Sequence, residues 1–181
     1  DEVITTTYTF FATGGTIAGT AGSATDTHGY TAGQLGADAL IAAVPQLAGL
    51  ARVDAEQLFN IDSKDMTPQH WLVLSRRVQA LADDARVDGI VITHGTDTLE
   101  ETAFFLHAVL APAKPVVLTA AMRPATSLQA DGPQNLCDAV VLAREPQARG
   151  VMAVMAGRVV AGCDLRKVHS YRLDAFDSGD A

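Results

Sequence analysis

Five short runs rich in apolar and β-branched residues, at positions 7–12, 52–59, 89–93, 115–120 and 151–155, alternate with four helical patterns at 35–44, 68–82, 99–110 and 133–143. Alternation of this kind predicts an α/β fold, a mostly parallel open sheet with helices on both faces. Pro68 and Pro133 stand near the first turns of their helices, where a missing N–H is tolerated. Thr98 and Glu101 have the S/T-x-x-E spacing of a capping box, which predicts a helix start just after the third strand.

The chain has 181 residues and is 48% hydrophobic, enough to bury roughly 70% of its unfolded surface in one core. One domain over residues 1–181 is therefore expected. A formal net charge of -8 argues against nucleic acid and anionic membrane as partners, because both require a basic face. No apolar run approaches the ~20 residues that span a bilayer. The opening Asp1-Glu2-Val3 lacks the basic then apolar layout of a signal peptide. The expected compartment is periplasmic or extracellular if a signal peptide was removed, and cytoplasmic otherwise. Cys137 and Cys163 are too far apart for a CxxC site, and two buried thiols are the simplest expectation.

Two turns follow strand-like runs and carry the chemistry. One is Thr13-Gly14-Gly15-Thr16-Ile17-Ala18-Gly19, the other Thr93-His94-Gly95-Thr96-Asp97-Thr98. In open α/β sheets ligands bind at the carboxyl ends of strands, so these two turns are where a site is expected. Residues 16–30 are rich in Gly, Ala, Thr and Ser and read as a mobile loop over that site. The five histidines, His28, His70, His94, His107 and His169, show no metal-ligand spacing; His94 reads as shaping its turn. Neither Gly-rich turn matches a dinucleotide or P-loop pattern. Met152, Met155 and Trp71 read as core packing.

These turns, extended to Thr102 and taken with Ala121-Met122-Arg123-Pro124 and the run from Asp131 to Leu136, resemble the bacterial-type L-asparaginases, including the related glutaminase-asparaginases. The resemblance covers nearly the whole chain. It implies the large N-terminal domain of a two-domain amidohydrolase, with the smaller C-terminal domain absent from residues 1–181 and Asp174-Ala175-Phe176-Asp177-Ser178 leading out of the large domain. It also implies conversion of L-asparagine to L-aspartate and ammonia, with action on glutamine as an alternative, and no metal or organic cofactor. The expected partners are a small amide substrate and further copies of the chain, forming a homotetramer built from dimers. An amino-acid-binding domain without turnover is the competing class.

An amide carbon is a weak electrophile, so its hydrolysis needs an activated nucleophile, an oxyanion stabiliser and a proton for departing ammonia. By resemblance Thr16 is the nucleophile and Tyr30 closes over it. Gly14 and Gly15 are expected to leave amide N–H groups free for an anion. Thr96, Lys167 and Asp97 are implied as a hydrogen-bonded group in which lysine takes the role of histidine in a serine triad. Asp97 is further implied to meet the substrate ammonium, Ser63 the substrate carboxylate, and the Ala121 backbone carbonyl the leaving amide. Lys64 departs from the family pattern, which carries a neutral or acidic residue near that ammonium.

Overall fold

The computed structural model describes residues 7–26 and 28–179. The opening Asp1-Glu2-Val3 and Thr27 of the Gly-rich loop lie outside the described residues. Five parallel strands form the sheet: β1 (Thr7–Gly14), β4 (Arg52–Ile61), β5 (Gly89–Thr93), β6 (Pro115–Thr119) and β7 (Gly150–Met155). An antiparallel edge strand, β8 (Arg158–Ala161), completes the order β4-β1-β5-β6-β7-β8. Two small hairpins stand apart from the sheet, β2 (Thr20–Ala21) with β3 (Tyr30–Thr31), and β9 (Arg166–Lys167) with β10 (Phe176–Asp177). The helices are α1 (Ala37–Ala42), α2 (Leu47–Leu50), α3 (Pro68–Asp83), α4 (Leu99–Val109) and α5 (Gly132–Arg144).

Side chains alternate across the strands and build a core on each face of the sheet. Phe11, Ile90, Ile92, Val116 and Leu118 pack with Leu74, Val78, Leu99 and Leu106 of α3 and α4. Their neighbours Phe10, Val91 and Val117 point the other way, onto Leu40, Leu47, Leu136 and Val140 of α1, α2 and α5. Because both faces are covered, every residue of β5 and β6 is buried, whereas the edge strand β4 exposes many of its side chains. The fold is therefore the predicted helix-covered α/β sheet. Among the described residues no helix is long and apolar enough to cross a membrane.

Local signals set the start of α3 but not that of α4, a difference that matters for the site. Pro68 opens α3 behind a Thr67 cap, and the His70 ring returns the bond to the Thr67 N–H, a capping box without the usual acid. The expected Thr98–Glu101 box does not form. The Thr98 hydroxyl donates instead to the Ser63 carbonyl at 2.8 Å, tying the start of α4 to the loop after β4. Cys137 and Cys163 are free and only partly buried, which corrects the expectation of buried thiols.

Chain direction fixes where a ligand can sit. From β1 the chain crosses to β4 on one side, then returns over β1 to β5 on the other. The crevice at the carboxyl ends of β1 and β5 is thus the topological switch point. Thr16 follows β1 and Thr96 follows β5, so both threonine turns open into it.

Candidate active site

Hydroxyl bonding sorts the threonines at the carboxyl ends of the strands. Thr13 donates to the Thr93 carbonyl at 2.8 Å and Thr119 to the Val154 carbonyl at 2.8 Å, so both staple neighbouring strands. Thr16 and Thr96 instead border a cleft of about 230 Å³ together with Tyr30, Asp97 and Lys167. Met122, His28, Ser170 and Tyr171 complete its wall. Its volume lies below the roughly 300–1,000 Å³ of drug-sized sites, which suits a ligand of amino-acid size. A hollow of about 570 Å³ lies at the amino ends of β1 and β4, yet its charged side chains are paired with one another, Arg77 with Glu56 at 2.7 Å and Arg86 with Asp84 at 2.6 Å. Paired charges leave it little to offer a ligand.

Two hydroxyl constellations line the small cleft. The Thr16 hydroxyl shares a hydrogen bond with the Tyr30 phenol at 2.7 Å. The Lys167 amine donates to the Thr96 hydroxyl at 2.9 Å and to the Asp97 carboxylate at 2.8 Å. Lys167 is brought in by β9, 70 residues beyond Asp97, and its own N–H is held by the Glu100 carboxylate at the start of α4. The grouping of Thr96, Asp97 and Lys167 thus depends on α4 and the β9–β10 hairpin meeting above β5.

Backbone contacts bring the two turns close. Gly15 has φ of 80°, and a Cβ there would lie 2.4 Å from Gly95 Cα. The Gly15 N–H is not free for an anion, since it donates to the Ile61 carbonyl at 2.9 Å. Ser63 is buried behind the Thr96 turn, where its hydroxyl accepts from the Asp97 N–H at 3.1 Å. A Cβ on Gly95 would lie 2.4 Å from that hydroxyl oxygen. Ala121 is fully buried in the turn after β6, next to Met122 of the cleft wall. Lys64 is exposed and paired with Asp62; that carboxylate chiefly, with smaller contributions from Asp65 and Asp97, raises its pKa. It does not line the cleft.

A buried relay supports the Thr96 turn; the sequence marked Trp71 only as packing and His94 only as shaping its turn, and gave Thr102 no role of its own. The Trp71 indole N–H donates to the Thr102 hydroxyl at 2.8 Å, and Thr102 meets His94 Nε2 at 2.9 Å. His94 Nδ1 meets the Gly95 carbonyl at 2.8 Å. A carbonyl only accepts, so Nδ1 carries the proton and Nε2 receives the Thr102 hydroxyl. Each link is then satisfied with the ring neutral. Among the described residues no group of three or more His, Cys, Asp or Glu is arranged to hold a metal ion.

Burial lowers the His94 pKa from 6.5 to about 4, with the Gly95 bond acting in the opposite direction. The unfolded chain takes up a proton at this residue below about pH 6.5 and the folded protein does not, so stability falls as pH drops from about 6.5 toward 4. At ~1.4 kcal/mol per pH unit the expected loss by pH 4.5 is about 2 kcal/mol from this ring alone. Urea denaturation at pH 7 and pH 4.5 checks it: His94→Gln should lose about 2 kcal/mol less than the native protein over that interval. Equal losses would mean that His94 is protonated in the fold.

The family model "Asparaginase, N-terminal" matches residues 8–181. L-asparaginase 2 of Escherichia coli (strain K12) is 48% identical over 172 residues, covering 94% of this chain and 49% of the relative. Glutaminase-asparaginase of Pseudomonas aeruginosa is 47% identical over 169 residues, 92% of this chain and 47% of that protein. The crystal structure of a probable cytoplasmic L-asparaginase from Campylobacter jejuni superposes with a TM-score of 0.91 at 45% identity, covering 96% of this chain and 53% of that one. The chain spans about half the length of the relatives it matches. With this match along almost all of its length and the same fold, the chain belongs to the asparaginase family, to its N-terminal domain.

Proposed function

We propose that residues 1–181 supply the catalytic N-terminal domain of an amidohydrolase that converts L-asparagine to L-aspartate and ammonia through an acyl-threonine intermediate. The observation that carries this reading is the pair of threonine hydroxyls in the lining of one small cleft, each with its own partner, Tyr30 for Thr16 and Lys167 for Thr96. Thr16 Oγ1 attacks the side-chain amide carbon, and its proton passes to the departing nitrogen. The C–N bond breaks, ammonia leaves, and an ester to Thr16 remains. Water, positioned by the Thr96 hydroxyl and the Lys167 amine, then attacks the ester; aspartate leaves and the Thr16 hydroxyl is restored. Tyr30 orients the nucleophile, an intramolecular placement of the kind that removes several kcal/mol from a barrier.

In the same reading Asp97 meets the substrate α-ammonium. Ser63, whose oxygen already accepts from the Asp97 N–H, has its own proton left to donate to the α-carboxylate. The Ala121 backbone carbonyl faces the leaving amide, and Gly15 contributes the close approach of its turn rather than its N–H. Action on glutamine is a second reading, favoured by the near-equal identity to the Pseudomonas glutaminase-asparaginase. One methylene separates the substrates, a difference worth about 1–3 kcal/mol in a pocket. A smaller C-terminal domain, which the match to an N-terminal domain model supports, and a tetramer built from dimers complete the proposal.

Ammonia release measured with asparagine and with glutamine tests it on the whole protein. Turnover of asparagine with a kcat/KM in the usual enzymatic range of about 10⁴ M⁻¹s⁻¹ or above is expected. Saturable binding of aspartate with no ammonia released would replace the enzyme by an amino-acid-binding domain.

A further inference from the structure

Three stacked groups, two of them in the wall of the cleft, have no part in the chemistry above. The Tyr171 ring lies flat on the His28 ring, with centroids 4.9 Å apart and planes 6° from parallel. The guanidinium carbon of Arg123 lies 4.9 Å from the centroid of the same Tyr171 ring. His28 belongs to the segment that ends in Tyr30, and Tyr171 to the connection of the β9–β10 hairpin that carries Lys167. We propose that His28, Tyr171 and Arg123 act as a clasp, holding the Tyr30 segment closed over the cleft by tying it to the Lys167 hairpin and to the turn after β6.

Each member is presented by a preformed turn. The Asp26 carboxylate accepts from the His28 N–H at 3.0 Å and the Gly29 N–H at 2.7 Å, which fixes the backbone at His28 and Gly29. On the hairpin side, His169 Nδ1 accepts from the Tyr171 and Arg172 N–H groups at 3.0 and 3.1 Å. The Arg123 N–H is held by the Asp131 carboxylate at 2.9 Å, fixing the base of its side chain. Its Nε and Nη1 are buried without a hydrogen-bond partner. A desolvated guanidinium in that position gains most from the negative face of an aromatic ring, and Tyr171 provides one.

Geometry gives the clasp its consequence. The near end of the segment is already docked, since the Ala21 N–H donates to the Thr126 hydroxyl at 2.9 Å and the Leu128 N–H to the Ala24 carbonyl at 3.0 Å. The stack adds a second anchorage within the cleft wall, two residues before Tyr30 and its bond to Thr16. His28 and Tyr171 also line the cleft, so opening the stack widens the entrance at the same time as it frees Tyr30. His28, Tyr171 and Arg123 are thereby positioning residues, acting through Tyr30.

The clasp rests on the proposed amidohydrolase site for its kinetic effect, but its structural effect is measurable without turnover. Hydrogen exchange of the Asp26, His28 and Gly29 amides should quicken about threefold to tenfold in Tyr171→Ala and in His28→Ala, the range expected for one aromatic contact. Exchange in β5 and β6 should stay unchanged. Tyr171→Phe keeps the ring face and should exchange as the native protein does, and His28→Ala with Tyr171→Ala together should be no faster than Tyr171→Ala alone. In steady state the two alanine variants should raise KM for asparagine several-fold, with Tyr171→Phe restoring it. Unchanged exchange at the three amides, a rise that extends through β5 and β6, or a Tyr171→Phe protein as fast as Tyr171→Ala would each overturn the clasp. A native protein that releases no ammonia would sink the amidohydrolase reading instead, and the exchange results would still decide the clasp.

Discussion

Thr16→Ala is expected to lower ammonia release from asparagine by 10⁴-fold or more in the whole protein, while leaving the fold intact. Removing the nucleophile of a covalent mechanism removes the intermediate itself, whereas removing assistance to proton transfer costs about 10²- to 10⁴-fold. Thr96→Ala should therefore fall short of the Thr16→Ala loss, and it should slow release of aspartate from the ester more than formation of the ester. Neither change should harm stability much. The Thr16 side chain is small, and its partner Tyr30 is only partly buried, so water can replace the lost hydroxyl. Circular dichroism and rapid-quench kinetics on both variants separate these effects. Near-native kcat in Thr16→Ala would remove it as nucleophile, and a larger loss in Thr96→Ala would transfer the role to Thr96.

Much of this site could be read from the chain because its parts are local. Gly89-Ile90-Val91-Ile92-Thr93 can only be buried on both faces, and a strand buried that way ends in a turn over the sheet edge, as the Thr96 turn does. The adjacency of Thr16 and Thr96 was not local: it follows from the order β4-β1-β5, which the alternation of elements does not specify. Thr98 illustrates how tertiary structure overrides a local rule. Its capping box lost to a bond with Ser63, which satisfies a carbonyl of another loop and joins two pieces of the site. The edge strand β8 escaped notice for a related reason. It is entered through Ala156 and Gly157 at φ of 48° and 74°, and alanine gives no signal for such a turn; the Asn135 side chain holds the Ala156 N–H at 3.2 Å. Trp71 looked like packing and His94 like a turn-shaping residue, because the bonds that join them through Thr102 span up to 31 residues.

Gly15→Ala should cost the protein both stability and turnover, because two separate constraints converge on one hydrogen atom. At φ of 80° a side chain is strained by about 1–2 kcal/mol whatever space surrounds it. Space is also lacking, since the new Cβ would lie 2.4 Å from Gly95 Cα and 2.5 Å from Gly95 N, both backbone atoms that no rotamer change can move. Overpacking of this kind adds about 1–3 kcal/mol. Relief requires the Thr16 and Thr96 turns to separate, and a shift of about 1 Å between reacting groups can cost 10²-fold in rate. Gly157→Ala is the matched control: its φ is 74°, nothing lies within 4 Å of its would-be Cβ, and it sits in the β7–β8 turn away from the cleft. It should show the strain alone, with kinetic constants near native. The comparison to make is Tm and kcat/KM for both variants in parallel. If Gly15→Ala were no less stable than Gly157→Ala and kept kcat/KM within threefold of native, the close approach of the two turns would not be what holds the two threonines in place.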